Sequence, residues 1–191
     1  MKKFLFIRHG KTQNNLERRY IGDTEEPLCN AGICEAGELA NNLPSISSLI
    51  SGTALRCRQT AEILFPALKY TLCPLTEIDF GLFKGKNADD LKGDRDYEKW
   101  LESGCMSDIP SGDSVFNFKE KCCGIFEQIA EKSSFETTTA LVIHGGNIMA
   151  ILEKFANPKQ DFYKYHIHNC EYVLCRYESG TLYIERKGGL S

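Results

Sequence analysis

Apolar residues follow two distinct periods along the chain. Phe4-Leu5-Phe6-Ile7 is a short unbroken run closed by Arg8-His9-Gly10, and Thr138 to Ile143 is a β-branched run closed by His144-Gly145-Gly146. Both have the length and composition of buried strands. Ile46 to Ser51 and Tyr70 to Leu75 predict two more, the second placed at a sheet edge or strand end by Pro74. Helical spacing lies between them. Ala31 to Leu43 is a helix with Asn30 as its cap and Pro44 as its stop, and Ala54 to Phe65 is one with Thr53 as cap and Pro66 behind it. Val115, Phe118, Cys122, Ile125, Phe126 and Ile129 fall at the i, i+3/i+4 positions of an amphipathic helix over Val115 to Lys132. Asn147 to Ala156 is a further helix, ended by Asn157-Pro158. Tyr172 to Tyr177 and Thr181 to Arg186 flank Glu178-Ser179-Gly180, which signals a hairpin.

Two stretches break the pattern. Lys11 to Asn30 is polar, contains Gly22 and Pro27, and predicts a long loop. Ile78 to Gly112 lacks a clean period, carries Gly81, Gly85, Gly93 and Gly104, and holds short helical pieces such as Asp94 to Glu102. It predicts a lid-like insertion, about residues 78–112, in a single domain over 1–191. Strands alternating with helices give an α/β fold: a three-layer α/β/α sandwich with a mostly parallel sheet and an antiparallel edge. Ligands in such sheets bind beyond the carboxyl ends of the strands, where His9 and His144 fall.

Composition narrows the function. A chain of 191 residues suits one domain, and 42% hydrophobic residues supply a core. With 23 Lys+Arg against 26 Asp+Glu the net charge is −3, which argues against nucleic acid as a partner. No apolar run approaches the roughly 20 residues of a membrane span. The basic start Met1-Lys2-Lys3 leads into only Phe4 to Ile7, short of a signal segment, so the expectation is a cytoplasmic protein without membrane contact. The nine cysteines include no Cys-x-x-Cys, and read as small thiols in a reducing compartment.

The candidate chemistry lies at the two strand ends. Glycine beside each histidine lets the backbone turn sharply and lets N–H groups approach a ligand. A neutral imidazole whose other nitrogen donates a hydrogen bond is a competent nucleophile near pH 7. The adjacent Arg8 guanidinium matches a phosphate dianion through paired hydrogen bonds. Rival sites are weaker. Cys170 and Arg176 have the spacing of a cysteine phosphatase loop but no glycine between them, Asp94-Arg95-Asp96 follows no apolar strand, and His166-x-His168 has no completing ligand cluster.

Arg8-His9-Gly10-Lys11-Thr12 with Asn15 resembles the signature of the histidine phosphatase superfamily, the phosphoglycerate mutase-like proteins. Ser51 to Ala61, with Arg56, resembles a second segment of that family, Leu75 to Gly81, with Glu77, a third, Pro110 to Ser114 a fourth, and Val142 to Gly146, with His144, a fifth. The resemblance implies a phosphohistidine on His9. Arg8, Arg56 and His144 would surround the phosphoryl group, and Asn15, Thr12, Gly22 and the Gly145 N–H would help bind the substrate. Glu77 would serve as acid and then base. It implies a phosphoglycerate mutase-like fold, a small-molecule phosphomonoester as partner, and neither metal nor other cofactor; it leaves the oligomeric state open. Ile78 stands where family mutases tend to carry arginine after the acid, which favours a phosphatase over a mutase. The texture around Tyr20 to Leu28, Glu77 to Gly81 and Tyr97 to Trp100 is similar to the α-ribazole-5′-phosphate phosphatases of cobalamin nucleotide-loop assembly, with a broad-specificity phosphatase or a non-catalytic phosphate-binding module as alternatives. Lys84 and Asp113 depart from glutamates usual in the family. Trp100, Tyr97 and Phe83 read equally as an aromatic wall for the leaving group and as lid core.

Overall fold

The structure, a computed structural model, describes residues 1–190. Seven strands form one sheet: β1 (Lys2–Arg8), β2 (Ser48–Gly52), β3 (Tyr70–Cys73), β4 (Thr138–Ile143), β5 (Ala156–Asn157), β6 (Tyr172–Glu178) and β7 (Thr181–Gly188), in the order β3-β2-β4-β1-β6-β7-β5. The pairs β3–β2, β2–β4 and β4–β1 are parallel, whereas β6 runs antiparallel to both β1 and β7. The helices are α1 (Gln13–Leu16), α2 (Asn30–Ala40), α3 (Leu55–Leu64), α4 (Arg95–Glu102), α5 (Val115–Lys132) and α6 (Gly145–Phe155).

Strand periodicity builds the layers. Alternate side chains point to opposite faces. Phe4 and Phe6 of β1, with Leu141 and Ile143 of β4, face α5 and α6, while Leu5, Ile7, Ala140 and Val142 face α2 and α3. These central strands are buried on both sides, which is why they read as unbroken apolar runs. The expected sandwich, with its antiparallel edge and with β3 at the sheet border, is what the chain forms.

Local expectations fail at element starts. Asn30 is the first residue of α2 and Cys29 its cap; Ala54, not Thr53, caps α3, with no side-chain hydrogen bond in either case. α6 starts two residues early, at Gly145, because His144 takes the cap position. The supposed loop after β1 contains the one-turn α1, and Ala156–Asn157, expected to close a helix, joins the sheet beside β7.

Residues 78–112 are stitched at their ends. Leu82 N–H donates to the Pro110 carbonyl at 3.0 Å, and Asp113 N–H to the Asp79 carbonyl at 3.0 Å. The backbones approach so closely that a Cβ on Gly81, whose φ is +47°, would lie 2.2 Å from the Pro110 oxygen. Asp113 reinforces this seam by accepting from Asp79 N–H at 2.8 Å. Phe83, Leu91, Tyr97, Trp100 and Ile109 are buried in the same core as α5 and α6. No helix is long and apolar enough to cross a membrane among the described residues.

Candidate active site

β1 and β4 are neighbours, paired in register from Lys3 with Thr138 to Arg8 with Ile143. The next residue on each is a histidine. His9 N–H donates to the Ile143 carbonyl at 3.1 Å, and the two imidazole centroids are 5.2 Å apart at 72°. His9 Nδ1 donates to the Gly10 carbonyl at 2.8 Å, which fixes the tautomer and leaves Nε2 with its lone pair free. Gly10 N–H donates to Thr60 Oγ1 at 2.9 Å, and Asn169 Nδ2 to the His9 carbonyl at 2.9 Å, so the turn is held from two sides. Burial, then the charges of Arg56 and Arg8, hold the His9 pKa well below the usual imidazole range. His144 is lowered likewise, by burial and then by His9, Arg56 and Arg8. Both rings are therefore neutral at physiological pH, as a nucleophile must be.

Arg56 enters from the first turn of α3 and is only 1% exposed. It donates from Nη1 to the Thr24 carbonyl at 2.6 Å and from Nη2 to the Gly22 carbonyl at 2.8 Å, with His144 Nδ1 3.3 Å from Nη2. Arg8 commits Nη1 to the Ile167 carbonyl at 2.8 Å, 3.4 Å from His166 Nε2. Nε of each guanidinium is buried without a protein partner. Arg58 turns away to Glu25, 3.9 Å distant.

Glu77 lies in the segment after β3. Its Oε1 accepts from Ile78 N–H at 3.2 Å, and its Oε2 is 3.7 Å from His144 Nδ1. Burial raises its pKa, against the opposing pull of Arg56, Arg8 and the Ile78 N–H. A carboxyl poised in this way can give a proton and take one back.

The other expected binding residues divide. Asn15 and Gly145 line the cavity with Arg8, His9, Arg56 and Glu77, whereas His144 is fully buried behind that surface, against His9 and Arg56. Thr12 does not; it is fully buried and caps α1, its hydroxyl accepting from Asn15 N–H at 3.3 Å, so its part is to seat Asn15. Gly22 lines the cavity too, but its carbonyl is taken by Arg56. Sequence reasoning passed over three residues. Asn147 and Asn169 tie loops distant in sequence, and His166, which the sequence offers only as half of an incomplete metal pair, borders the cavity beside Arg8. No local pattern marks them.

The cavity holds about 380 Å³. Its floor is Arg8, His9, Arg56 and Glu77; its walls are chiefly apolar, with Tyr20, Ile78, Phe80, Trp100, Phe118 and Phe162 among them. Of the three aromatics weighed as a wall, only Trp100 reaches the cavity, and Phe83 and Tyr97 pack behind it. Arg19 at the rim is spent on Glu17 at 2.7 Å, Asp90 at 2.5 Å and the Gly85 carbonyl at 2.8 Å. Lys84 joins Asp23 at 2.5 Å to Asp79 at 2.8 Å, and so clasps the Gly22 loop to the loop after Glu77. All nine cysteines are free; six are buried, Cys29 and Cys105 are partly exposed, and Cys34 is exposed.

The sequence model described as "Histidine phosphatase superfamily (branch 1)" matches residues 4–188. A curated relative named "Probable phosphoglycerate mutase GpmB", from Escherichia fergusonii, is 32% identical over 128 residues, covering 63% of this chain and 60% of the relative. The match to that relative thus spans under two thirds of its length. Among solved structures, a phosphoglycerate mutase from Thermus thermophilus is similar with a TM-score of 0.75 at 26% identity, covering 99% of each chain. The α-ribazole phosphatase from Shigella flexneri reaches 0.82 at 19% identity, covering 96% of this chain and 94% of that one, a likeness of fold.

Proposed function

The chain belongs to branch 1 of the histidine phosphatase superfamily, and on that premise we propose that it is a phosphomonoesterase acting through a phosphohistidine at His9. The observation that carries this is the convergence of the neutral His9 imidazole and two guanidinium groups on the floor of one cavity, with the neutral His144 ring buried directly behind them and a carboxyl of raised pKa beside them. His9 Nε2 attacks phosphorus as the bond to the ester oxygen breaks. Glu77 in its acid form gives that oxygen its proton. Water then attacks the phosphohistidine while the Glu77 carboxylate takes a proton from it, the N–P bond breaks, and inorganic phosphate leaves with His9 neutral again. Arg8, Arg56, His144, Asn15 and the Gly145 N–H surround the equatorial oxygens, where the transition state carries its charge. Side chains supply this positive charge, so no metal enters the scheme.

The cavity wall bears on the substrate. With Arg19 spent on its own carboxylates and Ile78 at the position after the acid, no arginine beyond Arg8 and Arg56 is left among the described lining residues for a substrate carboxylate or second phosphate. The apolar and aromatic wall suits an uncharged leaving group carrying a ring. We therefore place the substrate among phosphate esters of such alcohols, α-ribazole 5′-phosphate being a candidate of that kind. A mutase reading draws support from the name of the curated relative, and it requires a cation for the carboxylate of phosphoglycerate.

A chromogenic aryl phosphate, assayed with and without EDTA and with His9→Ala, tests the chemistry. Equal rates with and without chelator, and loss of activity in the variant, are the expected results. Inactivity on every phosphoester would leave a binding module, and inhibition by EDTA would call for a metal enzyme. A panel of α-ribazole 5′-phosphate, sugar phosphates, and 3-phosphoglycerate with and without bisphosphoglycerate separates phosphatase from mutase.

A further inference from the structure

Asn147 is fully buried in the second position after Gly145, and each polar atom of its carboxamide is engaged. Oδ1 accepts from the His144 N–H at 3.2 Å. Nδ2 donates to the Thr76 carbonyl at 2.8 Å and lies 3.2 Å from Cys122 Sγ. Residues 76 and 147 are 71 positions apart in sequence, and no strand pairing joins their segments. The Thr76 carbonyl belongs to the same planar peptide unit as the Glu77 nitrogen, so a bond that anchors that oxygen orients the plane from which the Glu77 side chain departs. One carboxamide thus grips the backbone of His144 with its oxygen and the backbone entering Glu77 with its nitrogen.

We infer that Asn147 is a positioning residue, which sets the Glu77 carboxyl relative to the phosphoryl site by clamping the Thr76–Glu77 peptide to the His144 turn. This rests on the proposal that Glu77 is the acid and base of a phosphohistidine mechanism, and it adds to it what holds the acid in place. Three features fit the role. Among the described residues the Glu77 carboxyl accepts one hydrogen bond, from the adjacent Ile78 N–H, and its other oxygen lies 3.7 Å from His144 Nδ1, so little else holds it. Its neighbour across the site, Gly146, lacks the Cβ that would occupy the space of Oε1. The carboxamide accepts at one end and donates at the other across a rigid plane; aspartate in the same shape keeps the acceptor and loses the donor.

The test uses N147D and N147S with two esters. A 2,4-dinitrophenyl phosphate has a leaving group that departs without a proton, and a simple alkyl phosphate has one that needs it. Rapid mixing follows the first turnover and the steady state. In the variants, alkyl phosphate turnover is expected to fall about 10- to 100-fold, the scale on which small misplacements act. The dinitrophenyl ester should instead give a rapid burst of about one equivalent of phenolate, followed by slow turnover, because the phosphohistidine forms without Glu77 but waits for it to activate water. Equal losses on both esters without a burst would overturn the inference, and so would unchanged rates. Failure of both variants to fold would also overturn it, by making Asn147 a structural residue. Failure of the parent protein to hydrolyse either ester would count against the phosphohistidine proposal itself.

Discussion

Gly146→Ala perturbs the acid by a single methyl group. A Cβ built on Gly146 lies 2.6 Å from Glu77 Oε1 and 3.2 Å from Phe118 Cζ. Ordinary carbon–oxygen contacts begin near 3.3 Å, so the carboxyl must retreat by roughly 0.7 Å. Phe118, packed in the core of α5, has little freedom to give way first. A displacement of that size predicts a loss of about 10- to 100-fold in kcat on an alkyl phosphate, equivalent to roughly 1.4 to 2.7 kcal/mol of transition-state stabilisation. Stability responds differently. Alanine in a helix gains up to about 1 kcal/mol over glycine, against about 1 to 3 kcal/mol for overpacking. The net destabilisation is therefore at most about 3 kcal/mol, or a Tm lower by no more than about 12 °C for a chain of this size. Steady-state kinetics and a thermal melt check both numbers. Gly37→Ala is the control: Gly37 lies in α2 with nothing within 4 Å of its built Cβ, so it should gain stability and keep full activity. A Gly146→Ala protein that melts normally and turns over alkyl phosphate within threefold of the parent would refute the placement of the acid.

Two further outcomes follow from the charges. Glu77→Gln should bind inorganic phosphate about as well as the parent and lose turnover on alkyl esters, measured by phosphate titration beside kcat; unimpaired turnover would remove Glu77 from the chemistry. Arg56→Met should move the acid limb of kcat/KM to higher pH. The proposed mechanism needs neutral His9, and Arg56 is among the causes that hold the His9 pKa down, so without that charge the imidazole gains its proton at higher pH as the solution is acidified. The same variant leaves the Gly22 and Thr24 carbonyls without their donor, a cost of about 1 to 3 kcal/mol each, visible in urea denaturation.

What the sequence discloses depends on the range of the interaction. β1 and β4 are legible because burial on both faces writes itself as unbroken apolar runs, and His9 and His144 because they follow those runs directly. Glu77 has no such local mark; its position after β3 gains meaning only from resemblance, since its neighbours in space come from α6. Thr12 misled because a threonine beside the signature reads as a ligand, whereas an N-cap makes the same use of a hydroxyl. Asn147, Asn169 and His166 were opaque because their bonds join loops separated by many residues. The helix starts slipped for a smaller reason. α2 and α3 follow Cys29 and Ala54, which cap without a side-chain bond, so packing rather than capping chemistry fixes where they start.

The sheet explains why side chains so scattered in sequence meet. Four adjacent strands, β3-β2-β4-β1, are mutually parallel, and their registers place Cys73 opposite Gly52, Ser51 opposite Val142, and Ile143 opposite Arg8. Their carboxyl ends therefore lie on one level. The two strands nearest the middle of the whole sheet, β4 and β1, each supply a histidine from the next residue, so the imidazoles sit low and close. β2 and β3 supply their groups later: Arg56 and Glu77 each come four residues after the strand end. Parallel neighbours are about 4.8 Å apart, and a group following β2 or β3 must cross two or three such intervals to reach His9 after β1. The extra residues provide that reach, through the first turn of α3 for Arg56 and through the segment clamped by Asn147 for Glu77. A strand reversed in direction would send its group to the opposite end of the sheet. A slip of one residue between β1 and β4 would shift His9 by about 3.3 Å and turn its side chain to the other face, separating nucleophile from partner. The geometry of the candidate site is thus a consequence of strand register, and the apolar residues that fix the register, Phe4 to Ile7 and Ala140 to Ile143, hold the two imidazoles together without lining the cavity.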